Sequence, residues 1–88
     1  MLDRSNSSQS DRVTALVREL LAKRSVDRPV GSDEDLAGAG LTSLDMVNLM
    51  LAVETEFDLK IPDRDMTPAN FRTIARIDAL VGALLPQP

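Results

Sequence analysis

Histidine and cysteine are both absent from this chain, so the commonest general base and the commonest strong nucleophile are missing. Hydroxyls and carboxylates remain, and one hydroxyl has a defined setting. Ser43 sits in Gly40-Leu41-Thr42-Ser43-Leu44-Asp45-Met46, reached through the small residues Ala37, Gly38 and Ala39. Thr42 is a good helix N-cap, because its side-chain oxygen accepts from a free backbone N–H of the first turn. Asp45, three residues on, can accept in return from the backbone of the cap. Thr42-x-x-Asp45 is thus a capping box with Asp in place of Glu or Gln, and its carboxylate favours the positive helix end. Ser43 then takes the first helical position with its hydroxyl toward solvent, within reach of another enzyme's active site. The free N–H groups and positive dipole of a helix N-terminus also tolerate a phosphate attached there.

Several elements must hold that turn in place. Val13, Leu16, Val17, Leu20 and Leu21 recur at i, i+3, i+4, i+7 and i+8 and predict a first helix that starts at Ser10 or Asp11. It should end near Arg24 or Ser25, where Lys23 and Arg24 suit the negative end of the helix. Residues 25–41, with Pro29, Gly31, Gly38 and Gly40, read as a long loop, a length that points to function. Within it Ser32–Leu36 is expected to make one short turn capped by Ser32, and Leu36 and Leu41 to anchor the loop on the core. The second helix spans Ser43 to Phe57. Met46, Leu49, Met50, Val53 and Phe57 form one apolar side, and Leu44, Val47 and Leu51 form another stripe. Two apolar stripes exceed what a surface helix needs for one core face. The first is assigned to the core and the second to exposed positions open to a partner helix. Asp58-Leu59-Lys60-Ile61-Pro62 ends the helix, with Ile61 under the core. Thr67-Pro68 starts a short third helix through Phe71, which plugs the core. Thr73 caps the last helix, with Ile74, Ile77, Val81 and Leu84 on one face and Leu80 beside it. Pro86 and Pro88 stop it.

The fold class is therefore all-α: three long helices plus one short helix in an up-down bundle, with a long loop between the first two. Residues 1–9 read as a disordered tail, 10–85 as the domain and 86–88 as a C-terminal tail. Nine acidic residues stand against two basic ones between positions 25 and 63, and the net charge is −4. That balance disfavours nucleic acid and favours basic protein surfaces. No stretch has the length of a membrane span or the apolar core of a signal peptide, so the location expected is cytoplasmic. The acidic run Asp33-Glu34-Asp35 lacks the spacing of a calcium loop and reads as solvated surface.

Gly40-Leu41-x-Ser43-Leu44-Asp45, followed by Leu49 through Glu54-x-Glu56-Phe57-Asp58 and then Ile61-Pro62, resembles the acyl carrier protein family over roughly residues 11 to 85. The resemblance implies that Ser43 takes a covalent 4′-phosphopantetheine donated by coenzyme A. It makes the Ser43–Phe57 helix the recognition element, with Thr42, Leu44, Asp45, Val47, Asn48, Leu51 and Glu54 as partner-binding residues. It implies no catalytic residue and no metal ligand. The partners implied are a phosphopantetheinyl transferase, an acyl- or amino acid-activating ligase and a downstream acyl transferase or synthase, with the carrier a monomer.

The chain departs from the fatty-acid type in three places. Thr42 stands where many carriers have Asp, Asn48 and Thr55 stand where glutamates are common, and the segment Asp63 to Thr73 is longer. The Thr-Ser-Leu start and the Met66-Thr67-Pro68 segment resemble the small free-standing carriers charged with an amino acid. Two readings compete: a cofactor-free helical module that binds through Leu44, Val47 and Leu51, and an enzyme, which the residue inventory disfavours.

Overall fold

The computed structural model describes residues 8–85 of the chain, so positions 1–7 and 86–88 of the expected tails lie outside it. Among the described residues there are helices and no strands. They are α1 (Gln9–Lys23), α2 (Leu36–Ala39), α3 (Ser43–Phe57) and α4 (Ile74–Leu84), with 3₁₀ turns at Asp63–Asp65 and Pro68–Phe71. This is the expected bundle of three long helices with a short one.

Three local expectations change. The first helix opens a residue or two early, at Gln9, because the Ser8 hydroxyl accepts from Asp11 N at 3.1 Å. Gln9 is tied down as well: its amide donates to the carbonyl and carboxylate oxygens of Asp78 in α4, at 2.9 and 2.7 Å. The short helix of the loop is Leu36–Ala39, capped by Asp35 and not by Ser32. Asp35 directly precedes the helix and its carboxylate accepts from Ala37 N at 3.0 Å; the carbonyl of Ser32 accepts from Ala75 N at 2.9 Å and pins the loop to α4. Pro68–Phe71 is 3₁₀ rather than α, with Thr67 as its cap and Pro68 at its start. The acidic run is largely occupied: Glu34 pairs with Arg28 and Asp35 caps α2. Among the described residues no three ligating side chains converge on a metal position.

The core forms where α1 packs on α3 and α4. Val13, Val17 and Leu21 meet Leu49, Val53 and Phe57 from α3 and Ile77 and Val81 from α4, all of them buried. Each such side chain contributes about 1.5–3 kcal/mol on leaving water. Phe71 closes the bundle from the 3₁₀ turn, Ile61 from the α3–α4 connection, and Leu36 and Leu41 from the long loop. At the far end of α3, Arg12 bridges to Glu56 at 2.8 Å and lies 4.4 Å from the centre of the Phe57 ring. Asp58 ends α3 in the left-handed region, which a short polar side chain tolerates.

Candidate functional site

The turn before α3 is built so that Ser43 has little freedom. Gly40 adopts φ +132°, a conformation that side chains rarely enter, and an added Cβ would lie 3.4 Å from Val26 Cγ2. Its N–H closes α2 on the carbonyls of Leu36 and Ala37, both at 3.2 Å. Leu41 is buried and plugs the loop into the core. The chain then turns through Thr42, and the capping box forms in full. The Thr42 hydroxyl accepts from Asp45 N at 3.1 Å, and the Asp45 carboxylate accepts from Thr42 N at 2.9 Å. Met46 N donates to the Thr42 carbonyl at 3.0 Å, the first bond of the helix ladder.

Asp45 has a second partner from across the bundle. Arg24, the residue that ends α1, donates from Nε to one carboxylate oxygen and from Nη2 to the other, each at 2.8 Å. Only 5% of Asp45 is exposed. The Arg24 fork, followed by the Thr42 N–H, holds the Asp45 carboxyl well below the usual carboxylate range, and Asp45 in turn raises the Arg24 guanidinium. Asp45 is thus a locked anion inside the turn. The side chain expected to bind partners is buried, with both carboxylate oxygens engaged inside the fold.

Ser43 itself is exposed at the first position of α3, and its hydroxyl bonds to no described residue. The capping box uses the N–H groups of Thr42 and Asp45, and the Ser43 and Leu44 N–H groups remain without acceptors at the positive helix end. A phosphodiester on Ser43 fits this setting: two N–H donors without acceptors lie at the same helix end, and the adjacent carboxylate is paired with Arg24. Beside Ser43 opens a groove of about 930 Å³, with Met46, Val47, Met50 and Met66 on its apolar walls. Asp35 and Arg72 stand in its lining, 4.0 Å apart. An uncharged arm of moderate polarity has room to lie there.

The other expected docking residues separate in the same way. Leu44, Val47 and Leu51 are 65%, 49% and 53% exposed, and Asn48 and Thr42 share their exposed side of the helix start. Met46 is half-buried, and Leu49, Met50, Val53 and Phe57 are buried, as the stripe assignment requires. Glu54 is half-buried, and its carboxylate accepts from Ile61 N at 2.7 Å, so it also holds the chain that leaves α3. The residue that sequence reasoning missed is Arg24. It lies 21 positions from Asp45, and a basic residue at a helix end has a sufficient local explanation. No local pattern pointed to the pair.

The family model described as "Phosphopantetheine attachment site" matches residues 11–81. Aminoacyl carrier protein 1 of Bradyrhizobium diazoefficiens is 40% identical over 76 residues, which are 86% of this chain and 84% of that protein. The aminoacyl carrier protein of Agrobacterium fabrum is 36% identical over 77 residues, 83% of this chain and 93% of that protein. Among solved structures, the chain superposes with TM-score 0.72 and 38% identity on a chain of the Bradyrhizobium japonicum glycine:[carrier protein] ligase complexed with its cognate carrier protein and a glycyl adenylate analogue. The match covers 86% of this chain and 99% of that one. The complex of that ligase with glycylated carrier protein gives TM-score 0.70 at 38% identity, over 83% and 99% of the two chains.

Proposed function

The chain belongs to the family of non-catalytic carrier proteins defined by a phosphopantetheine attachment site, and on that premise we propose that Ser43 bears the arm and that the cargo is an amino acid. The observation that supports Ser43 is its free hydroxyl at the first position of a helix whose capping box is otherwise closed. In the attachment step the Ser43 oxygen bonds to the β-phosphorus of coenzyme A, and the hydroxyl proton passes to a base of the transferase. The phosphoanhydride bond breaks, and adenosine 3′,5′-bisphosphate leaves. Mg²⁺ held by the transferase neutralises the diphosphate. The carrier supplies an accessible nucleophile and no base, which suits a chain without histidine. Once bound, the arm supplies the thiol on which an acyl group rides as a thioester, tethered at high effective concentration to each partner.

An aminoacyl cargo is supported by the relatives, which are aminoacyl carrier proteins, and by the glycylated carrier among the similar structures. The partners are then a phosphopantetheinyl transferase, an amino acid-activating ligase and a downstream acyl transferase. Exposed Leu44, Val47, Leu51, Asn48 and Thr42 form the surface these enzymes read. No helix among the described residues is long and apolar enough to cross a membrane.

The test is intact mass after incubation with coenzyme A, Mg²⁺ and a broad-specificity transferase, then with ATP, an amino acid-activating ligase and single amino acids. Wild type should gain one phosphopantetheine and then one aminoacyl group, and Ser43→Ala should gain neither. An arm on Ser43→Ala would refute the attachment site. Loading of a fatty acyl group with no amino acid accepted would refute the cargo.

A further inference from the structure

The start of α3 carries two demands that conflict. Asp45 accepts from Thr42 N to close the capping box, and paired with Arg24 it does so as a carboxylate. Yet an ionised carboxylate two residues from Ser43 opposes the approach of a diphosphate to that hydroxyl, and later the phosphodiester itself. Arg24 resolves the conflict. It occupies both carboxylate oxygens with Nε and Nη2, at 2.8 Å each. Its position is set independently by the end of α1: Arg24 N donates to Leu21 O at 2.9 Å, Ser25 enters the left-handed region at φ +63°, and Val26 N returns to Leu21 O at 2.9 Å. A guanidinium matches a carboxylate through two parallel bonds, which a lysine ammonium cannot do.

We infer that Arg24 is a positioning residue for the chemistry at Ser43, cancelling the Asp45 charge so that the α3 N-terminus stays electropositive toward an incoming phosphate. This rests on Ser43 as the attachment residue. Arg24 is 44% exposed on its side chain, is not among the residues that line the groove, and makes its side-chain hydrogen bonds to Asp45, so it acts through Asp45. With Arg24 replaced by a neutral residue, Asp45 keeps its Thr42 bond and presents an unscreened charge roughly 6–8 Å from the reacting phosphorus, two helical positions away.

The experiment measures kcat/KM for arm transfer to the full chain by intact mass, at 0.05 and 1 M NaCl, for wild type, Arg24→Gln, Arg24→Lys and Arg24→Gln/Asp45→Asn. Each is compared with wild type at the same salt, and thermal melts and amide NMR spectra report the fold. Arg24→Gln is expected to lose about tenfold at low salt, the effect of one unit charge at that distance in a medium between protein surface and water. The defect should shrink toward about twofold at 1 M, where the screening length falls to ~3 Å. Removing both charges together should recover the rate to within about threefold, and Arg24→Lys should retain most of it, because the point charge survives. A purely structural clamp would show neither salt relief nor recovery in the double variant. A wild-type rate for Arg24→Gln, a defect that salt does not move, or a double variant as slow as the single one would overturn the inference. So would an Arg24→Lys chain as slow as Arg24→Gln. Should Arg24→Gln melt below the assay temperature, the Lys and double variants decide by the same criteria. No arm on wild type, or an arm on Ser43→Ala, refutes Ser43 itself and the inference with it.

Discussion

Truncating Leu44 and Leu51 to alanine together separates a docking stripe from a core stripe, because the two assignments differ by several kcal/mol in opposite observables. The side chains are 65% and 53% exposed in the isolated fold. Their loss should cost the fold at most about 0.5 kcal/mol each, partly offset by the good helix propensity of alanine. For a domain of this length that is a melting shift of about 4 °C or less per site. Were they core residues, each would cost about 2–5 kcal/mol. Binding behaves the other way. Fully burying a leucine contributes about 1.5–3 kcal/mol, and more than half of each side chain remains to be covered, so each truncation should cost a complex about 1–1.5 kcal/mol. The two residues lie about 10 Å apart along α3, two turns, and their effects should add. The double variant should therefore bind an amino acid-activating ligase roughly 30–150-fold more weakly. Calorimetric titration of ligase with the wild-type and variant chains gives the ratio, and scanning calorimetry gives the melting points. A large fall in melting point would show that the stripe is core. Unchanged affinity would show that partners do not read it.

Two further outcomes follow from the turn before α3. The Asp45 carboxyl titrates lower folded than unfolded, so its stabilising contribution is complete above about pH 4, the unfolded value, and drains away as the pH falls below it. The melting point of wild type should thus drop more steeply between pH 6 and 3 than that of Asp45→Asn, and parallel profiles would contradict this; Glu34, lowered by Arg28, shifts both chains alike. Gly40→Ala places a side chain at φ +132° and against Val26, and should cost about 1–3 kcal/mol, or roughly 5–20 °C in a thermal melt. A change under about 2 °C would mean that the turn relaxes freely.

What could be read from the sequence was what is local. The capping box needs only residues 42 to 45, and it forms with both of its bonds. The two stripes of α3 follow from helical period alone, and burial separates them as the spacing requires. Phe71 and Ile61 were legible as core because each is a large apolar residue stranded between turn signals. The misses are choices among neighbours or long-range events. Ser8, Ser10 and Asp11 are all acceptable caps, and the Gln9–Asp78 contact, which favours the earlier start, spans 69 positions. Ser32 and Asp35 both suit a cap, and the helix that forms starts at Leu36, directly after Asp35. The Arg24–Asp45 pair and the groove beside Ser43 exist only once α1, α3 and the 3₁₀ turn meet.

The composition of that groove has a chemical consequence. Three of the four methionines of the chain, Met46, Met50 and Met66, line it beside Ser43. Thioethers are unbranched and polarizable, so the walls can reshape around different contents without a large penalty. They are also the side chains that peroxide attacks, since cysteine is absent. Conversion of Met46 and Met66, both half-buried, to sulfoxide would turn an apolar trough into a polar one. Peroxide should therefore add oxygen to half-buried Met46 and Met66, beside Ser43, before it reaches Met50 in the core.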